Sequence, residues 1–365
     1  MESLLDPLVA RIRAAAGHGT PLRIRGGGSK DFYGERLEGE LLETAPLAGI
    51  TSYEPTELVV TALAGTPLAQ LEAALAERGQ CLPFEPPHFG GGATVGGMVA
   101  AGLSGPARAS AGAVRDYVLG LTMVNGRGEV LTFGGQVMKN VAGYDVSRLL
   151  AGSLGTLGLI VEASLKVLPV PPGEATLRFE LGQDEALRRL NTWGGQPLPL
   201  NASCWVEDDG VGTLYLRLRG AVAAVEAACR SLGGERQDNA QVRGDWQLCR
   251  DQRLPWFEAR RDRDLWRLSL PQTAPVLDLP EPPLVEWHGG LRWVGAAPGQ
   301  DEPLRRAAAA AGGHATLFRP AAGRTEPARG RLAPLSSPLQ QIHRELKRQF
   351  DPAGIFNRGR LYPDL

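Results

Sequence analysis

The sequence predicts an α+β protein that consists of two domains and a C-terminal segment. A strand, a helix and a second strand form a βαβ-like unit that leads into a glycine-rich stretch, at 58–64, 67–78, 80–84 and 84–105. A proline cluster at 169–173 is typical of a domain boundary. From residue 175 onward, strands alternate with amphipathic helices, which predicts a second, ferredoxin-like α+β layer. We therefore expect domains at 1–170 and 175–320, followed by a segment at 330–365.

The first domain is expected to begin with a helix, because Leu4, Leu8 and Ile12 share one face and Gly17 follows as a stop signal. A hairpin is the clearest local pattern, since the turn Asn125-Gly126-Arg127-Gly128 lies between two apolar runs. The predicted elements are a helix at 3–16, strands at 22–25, 118–124 and 129–133, a short helix at 143–151 and a strand at 159–168.

The second domain has less glycine and more regular alternation. Its apolar runs predict strands at 175–181, 214–218, 265–270 and 314–319. Helical periodicity predicts amphipathic helices between these strands, at 184–192, 221–232 and 303–312. After this domain, Pro338 begins a last helix, and a turn-rich tail follows from Phe350.

Composition excludes several classes of protein. Lys+Arg 39 against Asp+Glu 40 gives a formal net charge of -1, which argues against nucleic acid as the main partner. The arginine-rich segment 250–267 is balanced by its own acids and predicts a solvated, salt-bridged face. The four cysteines and five histidines have no metal-ligand spacing, so no metal site is expected.

The chain ends and the apolar runs indicate where the protein is found. The N-terminus has early acids and no basic region before an apolar run, so it is not typical of a signal peptide. No run approaches the roughly 18 apolar residues that span a bilayer. We expect a cytoplasmic protein, and attachment to the membrane through a partner complex stays open.

Three segments are unusually rich in glycine, at 26–30, 84–105 and 152–158. Consecutive small residues expose backbone N–H groups, which can form a concave site for an anion. This predicts a cradle for a large cofactor that carries phosphates. A flexible linker at 84–105 and a tight turn at 26–30 are the alternatives. A Rossmann site is a further alternative, although its single motif should follow the first strand of a βαβ unit.

Four motifs, in this order, resemble the FAD-binding domain of the vanillyl-alcohol oxidase/PCMH flavoprotein superfamily. They are Arg25-Gly26-Gly27-Gly28-Ser29, Thr94-Val95-Gly96-Gly97-Met98-Val99-Ala100, Gly112-x-Val114-Arg115-Asp116-Tyr117-Val118-Leu119-Gly120 and Gly152-Ser153-x-Gly155-Thr156-Leu157-Gly158. The resemblance implies a two-subdomain PCMH-type FAD-binding domain, a cap domain and a C-terminal segment that returns to the FAD domain.

The resemblance also implies which residues hold FAD. Backbone N–H groups of the first two motifs would bind the pyrophosphate without cationic side chains. Many members attach FAD through a histidine after the first glycine triplet, whereas Ser29-Lys30 stands here, so we expect non-covalent FAD. The implied contacts are Arg25, Gly26, Gly27, Gly28, Ser29, Gly92, Thr94, Gly96, Gly97, Ala101, Gly102, Gly112, Arg115, Asp116, Gly152, Gly155, Thr156, Gly158 and Ile160.

More narrowly, the chain resembles the FAD-binding E subunits of bacterial glycolate oxidases. The resemblance rests on the short length, on Lys139-Asn140-Val141-Ala142-Gly143-Tyr144-Asp145 and on the tail Asp351-Pro352-x-Gly354-Ile355-Phe356-Asn357. It implies a three-component enzyme, with a longer homologous FAD subunit and an iron–sulfur subunit. It also implies oxidation of glycolate, a small 2-hydroxy acid, to glyoxylate, with electrons passed toward the respiratory chain rather than to NAD.

Oxidation of a 2-hydroxy acid requires a base and a cation for the carboxylate. His288 is the candidate base, and Arg292 and Arg319 are the candidate carboxylate partners. A hydrogen-bonded histidine and surface salt bridges are the alternatives. The segment 286–291 resembles a metal-holding H-x-G-D-G-N stretch but lacks the acid and the asparagine. This departure leaves open a second function, in which the chain relays electrons without oxidising substrate itself.

Overall fold

The computed structural model describes residues 2–135, 145–208, 210–323 and 330–365. The motif at 139–145 lies almost entirely outside the described residues, as does the start of the predicted helix at 143–151. The elements of the first half are α1 (Glu2–His18), β1 (Leu22–Arg25), β2 (Glu40–Glu43), β3 (Ile50–Glu54), β4 (Val59–Leu63), α2 (Leu68–Ala76), β5 (Gln80–Cys81), α3 (Val95–Ala101), α4 (Arg108–Ala111), α5 (Val114–Tyr117), β6 (Val118–Val124), β7 (Val130–Gly134), α6 (Val146–Leu149), β8 (Leu159–Lys166) and β9 (Leu168–Pro169).

Five of these strands form an antiparallel sheet in the order β3-β4-β8-β6-β7. The predicted hairpin of β6 and β7 is confirmed, as are the first helix and the strand β8. The prediction of a βαβ-like unit at 58–84 is wrong. β4 is flanked by β3 and β8, whereas β5 pairs with β9, so the strands on either side of α2 belong to different sheets.

The second half contains β10 (Gly173–Glu180), α7 (Gln183–Gly194), β11 (Leu200–Asp208), β12 (Val211–Gly220), α8 (Val222–Leu232), β13 (Glu235–Arg236), α9 (Asn239–Arg250), α10 (Pro255–Glu258), β14 (Asp264–Ser269), β15 (Leu284–Glu286), β16 (Leu291–Ala296), α11 (Asp301–Ala310) and β17 (His314–Arg319). Its eight strands form one antiparallel sheet, in the order β13-β10-β12-β11-β15-β16-β14-β17.

This sheet consists of two ferredoxin-like units joined edge to edge at β11 and β15. In each unit, the fourth strand pairs with the first, the first with the third, and the third with the second. The unit β10–β13 has both of its helices, α7 and α8, whereas the unit β14–β17 has α11 between its third and fourth strands and, among the described residues, no α-helix between its first and second. The ferredoxin-like prediction is therefore confirmed, and the structure adds the duplication.

A buried ion-pair network joins the glycine-rich stretch to the second sheet. Arg217 on β12 donates to both carboxylate oxygens of Glu85 at 2.7 Å, and Arg219 donates to Glu85 at 3.0 Å. Burial alone would raise the pKa of Glu85, but the two arginines and their hydrogen bonds outweigh burial and lower it. The network holds the start of the glycine-rich stretch against this eight-stranded sheet, which we call the cap sheet.

The last helix, α12 (Ser337–Phe350), is followed by a tail that returns to the first half. The backbone of Leu22 donates to Ile355 and accepts from Asn357, which extends β1 by a parallel bridge. Lys347 is anchored below this tail. Its Nζ donates to the carbonyls of Thr156 and Phe356, each at 2.7 Å, and to Asp351 at 2.8 Å.

The buried pair of Lys347 and Asp351 yields a stability prediction. The Asp351 side chain is fully buried, and it also accepts from the backbone N–H groups of Ile355 and Phe356. Asp351→Ala should therefore lower the free energy of unfolding by about 3–5 kcal/mol, because it leaves a buried charge without its partner. Asp364→Ala is the control, since it removes an exposed pair with Arg344 and should cost at most about 1 kcal/mol. Urea denaturation measures both, and equal losses would contradict the prediction.

Candidate functional site

The first glycine loop follows directly from β1. The Arg25 side chain at the end of the strand donates from Nε to Asp31 Oδ2 at 2.8 Å, which ties the two ends of the loop together. Asn357 fixes the strand before it, because its Oδ1 accepts from the Ile24 N–H at 2.7 Å. The loop is therefore held by both of its ends and by the C-terminal tail.

The first and second glycine loops approach each other closely. A Cβ atom added to Gly27 would collide with the carbonyl oxygen of Gly92, and one added to Gly26 would collide with Thr94 Oγ1. An added Cβ on Gly92 would in turn lie 2.7 Å from the Gly27 oxygen. Only glycine permits this approach without separating the two loops. The structure thus brings together two of the segments that the sequence singled out.

The second loop continues into helix α3. Thr94 is the N-cap, and its Oγ1 accepts from the Gly97 N–H at 3.2 Å. The Gly96 N–H donates to Ala64 at 2.7 Å, which places the helix start against β4. These contacts rule out a flexible linker at 84–105.

The third glycine loop lies at the other end of α3. Gly102 ends the helix in a left-handed conformation, and an added Cβ there would lie 2.9 Å from Gly152 Cα. The Gly152 N–H donates to Val99, and the Leu154 N–H to Ala100. The carbonyl of Leu154 accepts from Asn357 Nδ2 at 2.6 Å. All three loops therefore meet around α3 and the C-terminal tail.

The remaining predicted cofactor residues lie further along the same surface. Asp116 accepts from the Ala113 N–H at 2.8 Å and so closes the turn at Gly112, while Arg115 is exposed beside it. The hydroxyl of Thr156 donates to Ser153 within the third loop. Gly158 and Ile160 lie behind that loop, against the strand β6. Their roles toward a cofactor stay predictions.

Unused hydrogen-bonding groups line the meeting point of the loops. Among the described residues, the N–H groups of Gly27, Gly28 and Ser29 in the first loop, and of Gly91 and Gly92 in the second, donate no hydrogen bond. In the third loop, the buried Ser153 hydroxyl also has no partner in the described part of the chain. Free N–H donors on loops without side chains are what a pyrophosphate requires. The residues present therefore fit FAD.

Lys30 and Asn357 belong to this region, although neither was selected from the sequence. Burial lowers the pKa of Lys30 to about 8, although Asp251 partly opposes this shift. Its Nζ lies 5.6 Å from the centroid of the Phe89 ring on the second loop. Asn357 was visible only as part of the tail motif. Its contacts with β1 and the third loop depend on chain segments that are hundreds of residues apart.

His288 is buried between the two halves of the protein. Its Nε2 lies 3.0 Å from Ser110 Oγ, and its backbone N–H donates to Ser203 Oγ at 2.9 Å. Burial lowers the pKa of His288 to about 4, so the ring is neutral at physiological pH. Its φ of 55° is in the left-handed region, which histidine adopts more often than most non-glycine residues. These surroundings are those of a hydrogen-bonded histidine, and its role as a base stays a prediction.

The two predicted carboxylate partners have other surroundings. Arg292 is fully buried and donates to the carbonyls of Pro275 and Ala274, at 2.6 Å and 2.8 Å. Arg319 lies near Arg261 and Glu258, and burial, reinforced by Arg261, lowers its pKa. The contacts of these arginines and of His288 have no residue in common, so they lend no support to a single catalytic site.

Across the described ranges, no three His, Cys, Asp or Glu side chains come together in a way that could hold a metal ion. Among the helices of those same ranges, none is both long and apolar enough to cross a membrane.

The burial of His288 predicts a specific pH dependence. The folded state binds this proton less readily than the unfolded state, since the pKa falls from 6.5 to about 4 on folding. Folding stability that is present above pH 6.5 is therefore lost as the pH falls toward 4. His288→Asn removes this titration, and asparagine tolerates the left-handed backbone. The free energy of unfolding should fall less steeply in this range for the variant than for the wild type. If the free energy of unfolding, measured by urea denaturation, falls equally steeply with pH in the variant and the wild type, the prediction is contradicted.

Known proteins with similar sequences or folds identify the family of this chain. A family model described as an FAD binding domain matches residues 5–134. The glycolate oxidase subunit GlcE of Escherichia coli (strain K12) is 47% identical over 359 residues, which cover 98% of this chain and 97% of the relative. The glycolate oxidase subunit GlcD of Bacillus subtilis (strain 168) is 33% identical over 162 residues, 44% of this chain and 34% of that relative.

Two other matches extend the comparison. A D-lactate dehydrogenase of Archaeoglobus fulgidus is 37% identical over 157 residues, which cover 41% of this chain and 33% of the relative. A solved structure of alkyldihydroxyacetonephosphate synthase superposes with a TM-score of 0.64 at 15% identity, over 96% of this chain and 74% of that one. The latter match shows a shared fold. This chain belongs to the family of the glycolate oxidase subunit GlcE, among FAD-linked oxidoreductases with the PCMH-type FAD-binding fold.

Proposed function

We propose that the chain is the FAD-binding subunit of a multi-subunit enzyme that oxidises glycolate to glyoxylate and passes electrons to an iron–sulfur partner rather than to NAD. One observation carries the proposal. Three glycine loops with free N–H groups meet around α3, in a chain that resembles GlcE along nearly its whole length. Bound FAD would supply the two-electron redox chemistry.

The chain's own residues would bind and orient the cofactor. The N–H groups of Gly27, Gly28 and Ser29, with those of Gly91 and Gly92, would hold the pyrophosphate. Ala101 and Gly102 would leave room for the rest of the cofactor beside the third loop. Attachment would be non-covalent, since Ser29 and Lys30 stand where a histidine would form the covalent bond.

The partners are proposed on the same grounds. Two relatives are named as subunits of glycolate oxidase, and GlcD aligns over only 34% of its own length, which suits a longer homologous FAD subunit. The proposed complex would operate in the cytoplasm or peripherally at the inner face of the membrane, where electrons leave toward the respiratory chain.

A second candidate function is favoured by the surroundings of the predicted catalytic residues. His288 is buried, with its Nε2 3.0 Å from Ser110 Oγ, and both terminal nitrogens of Arg292 donate to backbone carbonyls. In this alternative, the chain binds FAD and relays electrons, while the homologous partner oxidises the substrate.

The contact of the first two loops predicts the outcome of one substitution. Gly27→Ala would force the loops apart, because its Cβ would collide with the Gly92 carbonyl. The purified variant should lose most of its bound FAD, measured as visible flavin absorbance per chain. Gly17→Ala is the control, since among the described residues no atom outside its own helical turn lies within 4 Å of the added Cβ, and it should retain FAD fully. Equal flavin content in the two variants would contradict the proposed site.

The visible spectrum of the purified chain tests the function itself. We expect a yellow protein whose flavin enters the supernatant after acid precipitation, because attachment is non-covalent. Bleaching of the flavin by glycolate in the isolated chain would support oxidation by this subunit. Bleaching that requires the partner subunits would support the relay. A colourless chain that takes up no added FAD would overturn both.

A further inference from the structure

A cleft of about 780 Å³ lies between the first half, the cap sheet and the linker that precedes α12. Its charged side chains are Arg108 from α4 and Arg267 from β14, with His314 at its edge. Among the described residues that line it, none is an aspartate or a glutamate. The cleft is therefore an electropositive site with polar walls, which include Ser269, Gln272 and Thr316.

Both arginines lie over one indole ring. The guanidinium carbon of Arg108 is 4.5 Å from the centroid of the Trp287 ring, and that of Arg267 is 5.0 Å from it. The indole is fixed, because its Nε1 donates to the Gly105 carbonyl at 3.0 Å. The backbone of Trp287, with a φ of 53°, is in the left-handed region, as is that of His288. The Trp287 ring is thus a platform contacted by two cations that line the same cleft.

Neither arginine is neutralised within the described part of the chain. No salt bridge or hydrogen bond from either guanidinium to those residues is present, and Arg267 Nε is buried without a partner. The carboxyls that act on them from farther away are Asp116 and Glu286. The carboxylate of Glu286 already accepts hydrogen bonds from Trp293 Nε1 and Cys249 Sγ, and burial raises its pKa. Burial and the positive charge of Arg267 lower the pKa of Arg108.

Two adjacent, partly desolvated guanidinium groups without an acid are costly unless an anion joins them. The planar fork of arginine pairs with a carboxylate through two parallel hydrogen bonds. We propose that this cleft is a binding site for a small carboxylate, held by Arg108 and Arg267 on the Trp287 platform. The identity of the anion rests on the proposed function: these arginines, rather than Arg292 and Arg319, would hold the carboxylate of the 2-hydroxy acid.

The position of the cleft suits this role. Tyr33, which follows the first glycine loop, lines it, and Arg108 follows the second loop by a few residues. Trp287 precedes His288, whose ring contacts Ser110 on the same short helix as Arg108. A carboxylate bound here would lie beside the loops proposed to hold FAD.

The test is calorimetric titration of the flavin-containing full chain with oxalate, a dicarboxylate without a C–H bond to oxidise. Arg108→Gln and Arg267→Gln should each weaken oxalate binding about tenfold or more, because each removes a charge-assisted pair. Arg306→Gln removes an exposed arginine on α11 and should leave the affinity unchanged. The neutral amide glycolamide should bind no better to the wild type than to the variants.

Flavin content and circular dichroism are measured on every variant. If the glutamine variants fail to fold, Arg108→Lys and Arg267→Lys keep the charge and should weaken binding by several-fold, because lysine lacks the fork. Unchanged oxalate affinity in folded variants would overturn the proposal. A loss of bound flavin in either arginine variant would also overturn the proposal, because that arginine would then help to bind the cofactor.

A parallel addition of glycolate to the wild type, with and without partner subunits, separates this proposal from the proposed function. Arginine-dependent oxalate binding without flavin bleaching in either case would uphold the carboxylate site and reject glycolate oxidation. If glycolate bleaches the flavin and neither arginine substitution changes the affinity for oxalate, the proposed function is upheld and the carboxylate site is rejected.

Discussion

The close approach of two backbones, at Gly27 and Gly92, is the constraint on which the site depends. It positions the first loop against the start of α3, and the contact of Gly102 with Gly152 does the same at the end of that helix. Because neither contact leaves space for a Cβ atom, the loops present backbone N–H groups rather than side chains. Such a surface binds phosphate well and performs no acid–base chemistry, so the residues that recognise substrate must come from elsewhere.

The cap sheet and the C-terminal tail supply the rest of the architecture. Glu85, at the start of the second loop, is paired with Arg217 and Arg219 on the cap sheet, while Asn357 links β1 to the third loop. Lys347 satisfies carbonyls from the third loop and from the tail. These buried polar contacts hold the glycine loops in addition to the apolar side chains, such as Phe84 and Leu157, that the second and third loops bury in the core.

Local patterns were sufficient to predict the first helix, the β6–β7 hairpin and the glycine loops, because each is encoded within a few adjacent residues. Strand pairing was not predictable in the same way. The βαβ-like unit was wrong because an apolar run does not specify its partner, and β11, β15 and β16 were missed among less regular runs. For the site, the sequence pointed to Arg292 and Arg319 because arginine can pair with a carboxylate through two hydrogen bonds. Arg108 and Arg267 are brought together only by the fold, around Trp287.

We infer that the three glycine loops form one FAD site. The most direct measurement is a crystal structure of the flavin-containing chain. We expect pyrophosphate oxygens within hydrogen-bond distance of the N–H groups of Gly27, Gly28 and Ser29 and of Gly91 and Gly92, with no covalent bond from the flavin to the protein. A pyrophosphate bound away from these loops, or a flavin covalently attached to a side chain, would contradict the account.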